Sequence, residues 1–390
     1  MEPLKTSQGS AALAELSSAI TLKAGALGAA LHPISAREVT RIVEEMNCYY
    51  SNLIEGHRTH PRDVERAMRA DYSQEPKKRN MQILGQAHVE VERLMIGRLE
   101  AEPELVISSP EFLRWLHAEF YSRLPDDLRY VKDKSGTVYP IQPGALRDFQ
   151  VEVGTHQPPD FAVLPDFLDR FMKAYDPSQI RATERLPAVA AAHQRLLWIH
   201  PFGDGNGRIA RLFSTACLHR AGVYAHGLWS ISRGLARRQS SYYEHLNAAD
   251  APRQGDYDGR GNLSQKALDD FARFFLETAL DQIEFMTKLL DFEGMEKRLE
   301  YHFAVNTDFG KNAPAATRVL IEVLRRGEIQ RGMAPLLTGK GGTAARQILG
   351  KLEDLGFLQS DGPKKPVRLK ITSVNMDALL PMLFVDDARE

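Results

Sequence analysis

A histidine, a carboxylate, an asparagine, three glycines and two arginines fall within the twelve residues His-Pro-Phe-Gly-Asp-Gly-Asn-Gly-Arg-Ile-Ala-Arg at 200–211. Gly205-Asn206-Gly207 lies between two helical patterns, at the start of the second. Glycines there permit positive φ and let successive backbone N–H groups turn inward, making an anion cradle on the positive end of a helix. Arg208 and Arg211 stand three apart in that helix, so both guanidiniums project from one face. Asp204 adjoins the cradle and is placed to hold Mg2+ against phosphate oxygens. His200 ends the preceding helix, where a base would face the cradle, and Phe202 is most simply a core anchor. Taken singly, a helix-end histidine, a glycine-rich turn and an arginine pair are each ordinary. Together, within so short a stretch, they point to phosphate-ester chemistry. No Gly-x4-Gly-Lys-Ser/Thr is present and no strand precedes the glycines, so this is neither a Walker loop nor a dinucleotide fingerprint.

The elements that must position these residues read as mainly helical. Residues 1–30 are rich in Ala, Ser, Leu and Gly and predict a loose helix. A better punctuated helix begins at Ser35, where Ser35 and Glu38 form a capping box with Ile34 stapled onto Val39. Val39, Ile42, Met46, Tyr49, Tyr50 and Leu53 follow at helical spacing, and Gly56 supplies the stop. Glu55 is out of place in that helix's last turn, where the macrodipole disfavours a negative charge by a few tenths to ~1 kcal/mol. A partner arginine elsewhere would explain it. Helices are further predicted over 61–100, opened by Pro61, and over 110–124, where Phe112, Trp115, Leu116 and Phe120 make a core stripe. Residues 125–146 read as a loop. Phe149, Val151 and Val153 alternate with Gln150 and Glu152 and end at Gly154, which predicts a short strand or hairpin whose edge suits pairing with an incoming peptide. Helical patterns resume at 161–175, at about 184–199, after the central stretch, and from about 265 to 303. Asp256-Tyr257-Asp258-Gly259 faintly resembles a calcium loop, but Arg260 and Ala267 stand where ligands are needed.

At 390 residues the chain is long for one domain. Apolar residues make up 43% and charged residues 26%, enough for packed cores in a soluble protein. A net charge of −1 gives no global pull toward nucleic acid or membrane, so any basic surface must be local. Cys48 and Cys217 sit in apolar helical patterns and read as small buried residues in a reducing compartment. Without a signal-type or membrane-length apolar run, a cytoplasmic location is expected.

From about Ala315 the character changes. Three helical patterns, around 317–326, 331–337 and 343–355, precede two possible strands in Phe357–Ile371 around Asp361-Gly362-Pro363, the plan of a winged helix-turn-helix. Residues 315–371 hold eleven Lys/Arg against five Asp/Glu, a local balance that suits nucleic acid or a protein contact.

The stretch His200–Arg211 matches in full the signature of the Fic family, HxFx(D/E)GNGRxxR, and the wider similarity covers roughly 35–300. The resemblance implies an all-helical Fic core with a short β-hairpin flap. The divisions expected are 1–110 for an N-terminal segment carrying an inhibitory helix at about 35–56, 111–305 for the catalytic core, and 315–385 for the winged helix-turn-helix. It further implies a nucleotidyltransferase that moves AMP from ATP to a protein hydroxyl. On the family pattern His200 is the base and Asp204 binds Mg2+. Gly205, Asn206 and Gly207 cradle phosphates, while Arg208 and Arg211 contact the β/γ end. Val151, Glu152, Val153 and Gly154 occupy the place of the flap, which registers a target segment at 149–154. Tyr242 and Tyr243 resemble the aromatic pair lining the adenine pocket, with Asp250 where relatives often have Asn. His193 reads as structural. The Doc toxins, which resemble this family but act as kinases, carry Lys where this chain has Gly207, so Gly207 favours nucleotidyl transfer.

Ser51-Asn-Leu-Ile-Glu55-Gly56 resembles the family's inhibitory motif, (S/T)xxxE(G/N), and gives Glu55 the expected partner Arg211. The same glutamate is expected in some relatives to orient a water that removes AMP. Alternatives of another class are an ATP-sensing, DNA-binding regulator acting through its C-terminal domain, or a Fic enzyme with another nucleotide donor. Expected partners are a target protein, the chain itself as a substrate of self-modification or as a homodimer, and DNA; no membrane is expected.

Overall fold

The computed structural model describes residues 4–7, 10–58, 60–154 and 156–384. They divide into two compact units. One is drawn from Met1–Leu22, Asn47–Tyr224 and Ser230–Gln282, the other from Lys23–Met46, Ala225–Trp229 and Ile283–Glu390. Helix dominates, as the sequence pattern predicts.

The opening segment is more firmly built than its composition suggests. Helix α1 (Ala11–Gly28) buries Leu13, Ile20, Ala24 and Leu27, so it is a packed helix and not a loose one. Proline then opens four helices in succession: α2 (Pro33–Ile54), α3 (Pro61–Ala67), α4 (Pro76–Ala101) and α5 (Pro110–Ser122). The missing N–H of proline costs nothing in a first turn, and its fixed φ is already helical. Pro33 therefore overrides the expected capping box. Ser35 lies inside α2, and its buried hydroxyl donates to the Val323 carbonyl at 3.1 Å. Glu38 pairs with Arg41 at 3.3 Å. The stop at Gly56 is as expected, with φ at +78°.

In the first unit, Gly85 brings α4 close to its neighbours. A Cβ there would lie 3.2 Å from Val64 of α3 and 3.4 Å from Cys48 of α2. Cys48 Sγ meets the Gly85 carbonyl at 3.2 Å, and Asn47 donates to Glu92 at 2.6 Å. The last two turns of α2 are thereby docked on α4, which fixes where Ser51 and Glu55 emerge. Both cysteines are buried thiols that form no disulfide among the described residues.

The stretch read as a loop at 125–146 contains a hairpin, β1 (Tyr130–Lys132) against β2 (Val138–Pro140), antiparallel with Val131 opposite Tyr139. The turn is held by Asp133, whose Oδ1 accepts from the amides of Ser135 and Thr137 at 2.8 and 2.9 Å. These are local side-chain contacts with no periodic signature. Conversely, the alternating stretch at 149–154 forms no strand. Val153 makes an isolated bridge to His156, and the arms on either side are tied by side chains.

Helix α6 (Leu164–Tyr175) leads to the central pair α7 (Arg185–Ile199) and α8 (Asn206–Arg220), followed by α9 (Ile231–Arg237), α10 (Gln239–Ala249) and α11 (Gln265–Leu289). Both central helices are buried almost all round. Ala190, Ala191 and Ala192 of α7 and Ala210 and Ala216 of α8 let the pair approach closely. The loop at 251–264 is closed by Asp258, which accepts from the amides of Gln254 and Lys266, both at 2.8 Å.

The second unit contains α12 (Phe292–Val305), α13 (Ala313–Arg326), β3 (Glu328–Ile329), α14 (Ala334–Thr338), α15 (Gly342–Asp354), β4 (Leu358–Gln359), β5 (Val367–Leu369) and α16 (Met376–Leu379). The strands are antiparallel in the order β3-β5-β4. The two strands expected near the C-terminus are present. The third, β3, is too short for any alternation to announce it. Val319, Leu320, Leu324, Leu352, Val367 and Leu369 form the core of this unit.

Leu116 of α5 is fully buried among the elements that hold the central loop. Leu116→Ala is expected to lose about 2–5 kcal/mol, read as a lower urea midpoint for unfolding of the first unit.

Candidate active site

The loop between α7 and α8 is a sharp reversal fixed by two left-handed residues. His200 caps α7 with φ +50° and ψ +61°, and Gly205 caps α8 with φ +81°. Only the second is a glycine, so His200 is held there at a cost of order 1–2 kcal/mol. Its Nδ1 faces the Leu197 carbonyl at 3.3 Å. A carbonyl can only accept, so Nδ1 carries the proton and Nε2 keeps a free lone pair. Burial pushes the imidazole down to about 4, with Arg147 and His156 acting the same way and Leu197 and Asp204 opposing. At neutral pH it is an uncharged base.

Phe202 is the anchor the sequence suggested. It is 1% exposed and stacks on His117 at 4.1 Å. Asn206 turns both ends of its amide into the loop, with Oδ1 accepting from the Phe202 amide at 3.0 Å and Nδ2 donating to the Phe202 carbonyl at 2.8 Å. Gly205 has no room for a side chain, since a Cβ would meet the Tyr121 ring at 2.7 Å. The Tyr121 hydroxyl donates to Asp204 Oδ2 at 2.7 Å, leaving Oδ1 for another partner.

That donor set fits a Mg2+ bound mainly through phosphate and water oxygens. One carboxylate oxygen is offered, and no cluster of three or more metal-ligating side chains exists among the described residues.

On α8, Arg208 and Arg211 are both nearly out of contact with solvent, at 4% and 2% exposed. Arg211 is engaged by the end of α2 and the residue that follows it. Its Nε donates to Ser51 Oγ at 2.8 Å, and one terminal nitrogen donates to the Ser51 carbonyl at 3.0 Å and to Glu55 Oε1 at 2.6 Å. Burial alone would raise the Glu55 carboxyl, but Arg211 and Arg208 more than offset it and hold it below its ordinary value. Arg208 is less satisfied. It donates to His57 Nδ1 at 2.9 Å and lies over the Phe120 ring, while its Nε has no partner. A guanidinium cannot accept, so His57 is neutral with its proton on Nε2. Burial and Arg208 lower its pKa.

Gly207 sits directly under this contact. A Cβ there would fall 2.2 Å from Glu55 Oε1 and 3.1 Å from Arg211. The family resemblance makes this glycine a mark of nucleotidyl transfer; in the structure the space a side chain would take holds the Glu55 carboxylate.

The residues 151–154 lie on a loop beside His200. Val153 is exposed and bridged to His156, and Glu152 pairs with Lys134 of the β1–β2 turn. His156 Nε2 lies 2.8 Å from the Trp198 carbonyl, and Asp250 is on its other side, 3.7 Å from Nδ1. Asp250 accepts from Gln194 at 2.6 Å, and burial raises its carboxyl above the usual range. The two tyrosines part company. Tyr242 is buried, with its hydroxyl 2.7 Å from His193 Nε2, and His193 bonds Ser214 through Nδ1 at 2.8 Å. His193 is thus structural, as read, and buried neutral. Tyr243 is 42% exposed and its hydroxyl donates to the Ile54 carbonyl at 2.8 Å, at the end of α2. Three residues around the site escaped the sequence reading: Tyr121, His57 and Arg147. Tyr121 and Arg147 lie far from the motif in sequence; His57 directly follows Gly56 and was open to notice.

Gly207→Ala should dislodge Glu55 from Arg211 and destabilise the first unit by about 1–3 kcal/mol. In a Glu55→Gly background the same change should cost little, a coupling that a double-mutant cycle of urea unfolding measures. Because the folded pKa of Glu55 is lowered from 4.5, its stabilisation is complete above that value and lost as the pH falls through the folded pKa. The stability gap between wild type and Glu55→Gln should therefore be full at pH 7 and close in acid.

Comparison with known proteins bears on this geometry. The model of the Fic/DOC family matches residues 107–218, which span α5, the hairpin, the 149–159 loop and the central helix pair. A protein adenylyltransferase Fic of Nematostella vectensis is 28% identical over 232 residues, covering 56% of this chain and 46% of that protein. One from Drosophila mojavensis is 38% identical over 104 residues, covering 27% and 21%. The chain thus spans less than half the length of either relative. Among solved structures, a Fic family protein from Desulfovibrio desulfuricans G20 is similar in fold over 96% of this chain and 99% of its own, with a TM-score of 0.54 and 17% identity. A Fic domain-containing signaling protein from Bacteroides thetaiotaomicron VPI-5482 covers 70% and 96%, with a TM-score of 0.53 and 18% identity. Over residues 107–218, then, this chain is similar to the Fic/DOC family.

Proposed function

We propose that the protein is an adenylyltransferase that moves AMP from ATP to a Ser, Thr or Tyr hydroxyl of a target protein and is held inactive by Glu55. The observation that carries this reading is the pair of buried guanidiniums, one partnered by Glu55 and the other lacking a carboxylate partner among the described residues, beside a neutral histidine. Such a site demands an anion, and the relatives' names supply the nucleotidyl class.

In this reading Nε2 of His200 takes the proton from the target hydroxyl as its oxygen attacks the α-phosphorus of ATP. The bond from that phosphorus to the bridging oxygen breaks, and pyrophosphate leaves. Backbone N–H groups at Gly205, Asn206 and Gly207 lie at the positive end of α8 to receive phosphate oxygens. Asn206 acts by stiffening this loop. Arg208 and Arg211 take the β/γ end, which Arg211 does only when Glu55 has left. Asp204, steadied by Tyr121, would hold Mg2+, which when bound offsets phosphate charge. The target segment docks along Val151–Gly154, and Tyr243, the exposed member of its pair, is the one able to meet the base, with Tyr242 behind it. His57 extends the block, since it occupies Arg208 while Glu55 occupies Arg211.

A second reading, DNA binding by the C-terminal helices and strands, is favoured by one observation. Lys340, Arg346, Lys364 and Lys365 have no acidic partner among the described residues, and the start of α15 is exposed. Among the described residues no helix is long and apolar enough to cross a membrane.

The test is incubation of wild type, Glu55→Gly and His200→Ala with α-labelled ATP and cell lysate. Label should appear on a discrete protein band with Glu55→Gly, at least tenfold above wild type, and be absent with His200→Ala. Equal labelling by wild type and Glu55→Gly would sink the inhibitory part of the reading, and no labelling by Glu55→Gly the enzymatic part. A tight complex with duplex DNA that weakens steeply with salt and persists in His200→Ala would favour the regulator.

A further inference from the structure

Arg147 is buried, 4% exposed, and forms no ion pair with a carboxylate among the described residues. Each of its three nitrogens donates to a main-chain carbonyl. Nε donates to His200 at 2.8 Å, one terminal nitrogen to Phe149 at 3.2 Å, and the other to Pro159. Its own backbone amide donates to the Pro201 carbonyl at 3.0 Å. A buried cation is costly, and three neutral acceptors are a modest return for stability alone. What these acceptors share is their location. Phe149 and Pro159 are the two arms of the loop whose tip bears Val153, and His200 is the strained residue that carries the base.

The geometry points to Arg147 as a positioning residue that holds the base and the 149–159 loop in one frame. The inference rests on the adenylyltransferase reading and extends it to how a target hydroxyl is registered against Nε2. The planar fork suits the task, because a guanidinium presents donors in fixed directions and can span three carbonyls that an ammonium cannot. By fixing the His200 carbonyl it helps to maintain the left-handed conformation that turns the imidazole toward the loop. By bridging both arms it sets the height of the tip. His156 adds a parallel tie to the Trp198 carbonyl at 2.8 Å, and Gln150 closes the arms through the Pro158 carbonyl at 3.0 Å. A displacement of about 1 Å between attacking oxygen and base is enough to lose on the order of a hundredfold in rate.

The experiment places Arg147→Met and Arg147→Lys in the full-length Glu55→Gly protein and reads three quantities. For a target, kcat should fall by about tenfold to a hundredfold and the KM for target should rise. Equilibrium binding of ATP should change less than twofold, because Arg147 touches no phosphate-binding residue. Lysine should not rescue, since charge without the fork leaves two of the three carbonyls unserved. Parental kcat in Arg147→Met overturns the proposal, as does full rescue by lysine or a loss of ATP binding in proportion to activity. The third quantity needs no catalysis. Amide hydrogen exchange should quicken together in 149–160 and 197–202 in Arg147→Met and not in α10 or α11. Exchange unchanged in either segment, or raised throughout, overturns the proposal. If Glu55→Gly itself transfers no AMP, the enzymatic reading fails, and the exchange result alone decides for Arg147.

Discussion

Two guanidiniums at the start of one helix, both removed from water, are the constraint on which this molecule is built. Arg208 and Arg211 occupy the first two turns of α8, the positive end of the helix, where the macrodipole opposes cations. Burial there is tolerable only with compensating anions or acceptors. The chain supplies some of these from elements far away in sequence and leaves the Nε of Arg208 unserved. On the proposed reading, the donor left over is met by an anion.

The packing around it serves that end. Gly85 and Cys48 set α2 against α4, so that Ser51 and Glu55 reach Arg211 without strain in the helix. Tyr121 steadies Asp204, and Asn206 locks the loop from within. Tyr243 and Gln239 both donate to the Ile54 carbonyl, so the end of α2 is also seated on α10. The 51–57 segment is therefore held by several modest contacts and one charged one.

The motif from His200 to Arg211 was legible because its chemistry is written in consecutive residues, and Glu55 because it broke a local electrostatic rule. Helices were legible from period and punctuation, although the Pro33 start displaced the expected cap at Ser35. What sequence could not display were contacts whose partners lie far apart in the chain. Tyr121 precedes Asp204 by 83 residues and Arg147 precedes His200 by 53, and neither has a neighbour that marks it. The hairpin at 130–140 was hidden for a related reason, since Asp133 organises it through its own backbone neighbourhood. The alternation at 149–153 makes no regular strand; one antiparallel pair, Val153 with His156, and side-chain ties shape that turn.

Counting charge around the α8 terminus shows a further effect of Glu55. The imidazoles of His57, His117 and His200 are pushed below their ordinary value by burial and are uncharged at neutral pH. That leaves Arg208 and Arg211 against Asp204 and Glu55 at the terminus itself, two charges of each sign, with Arg147 a further cation behind His200. With the glutamate withdrawn the positive charges are in excess, and such an excess attracts polyanions from beyond contact range and speeds their arrival. On the proposed reading the glutamate slows encounter as well as blocking seating, and the encounter part fades with added salt while the seating part does not.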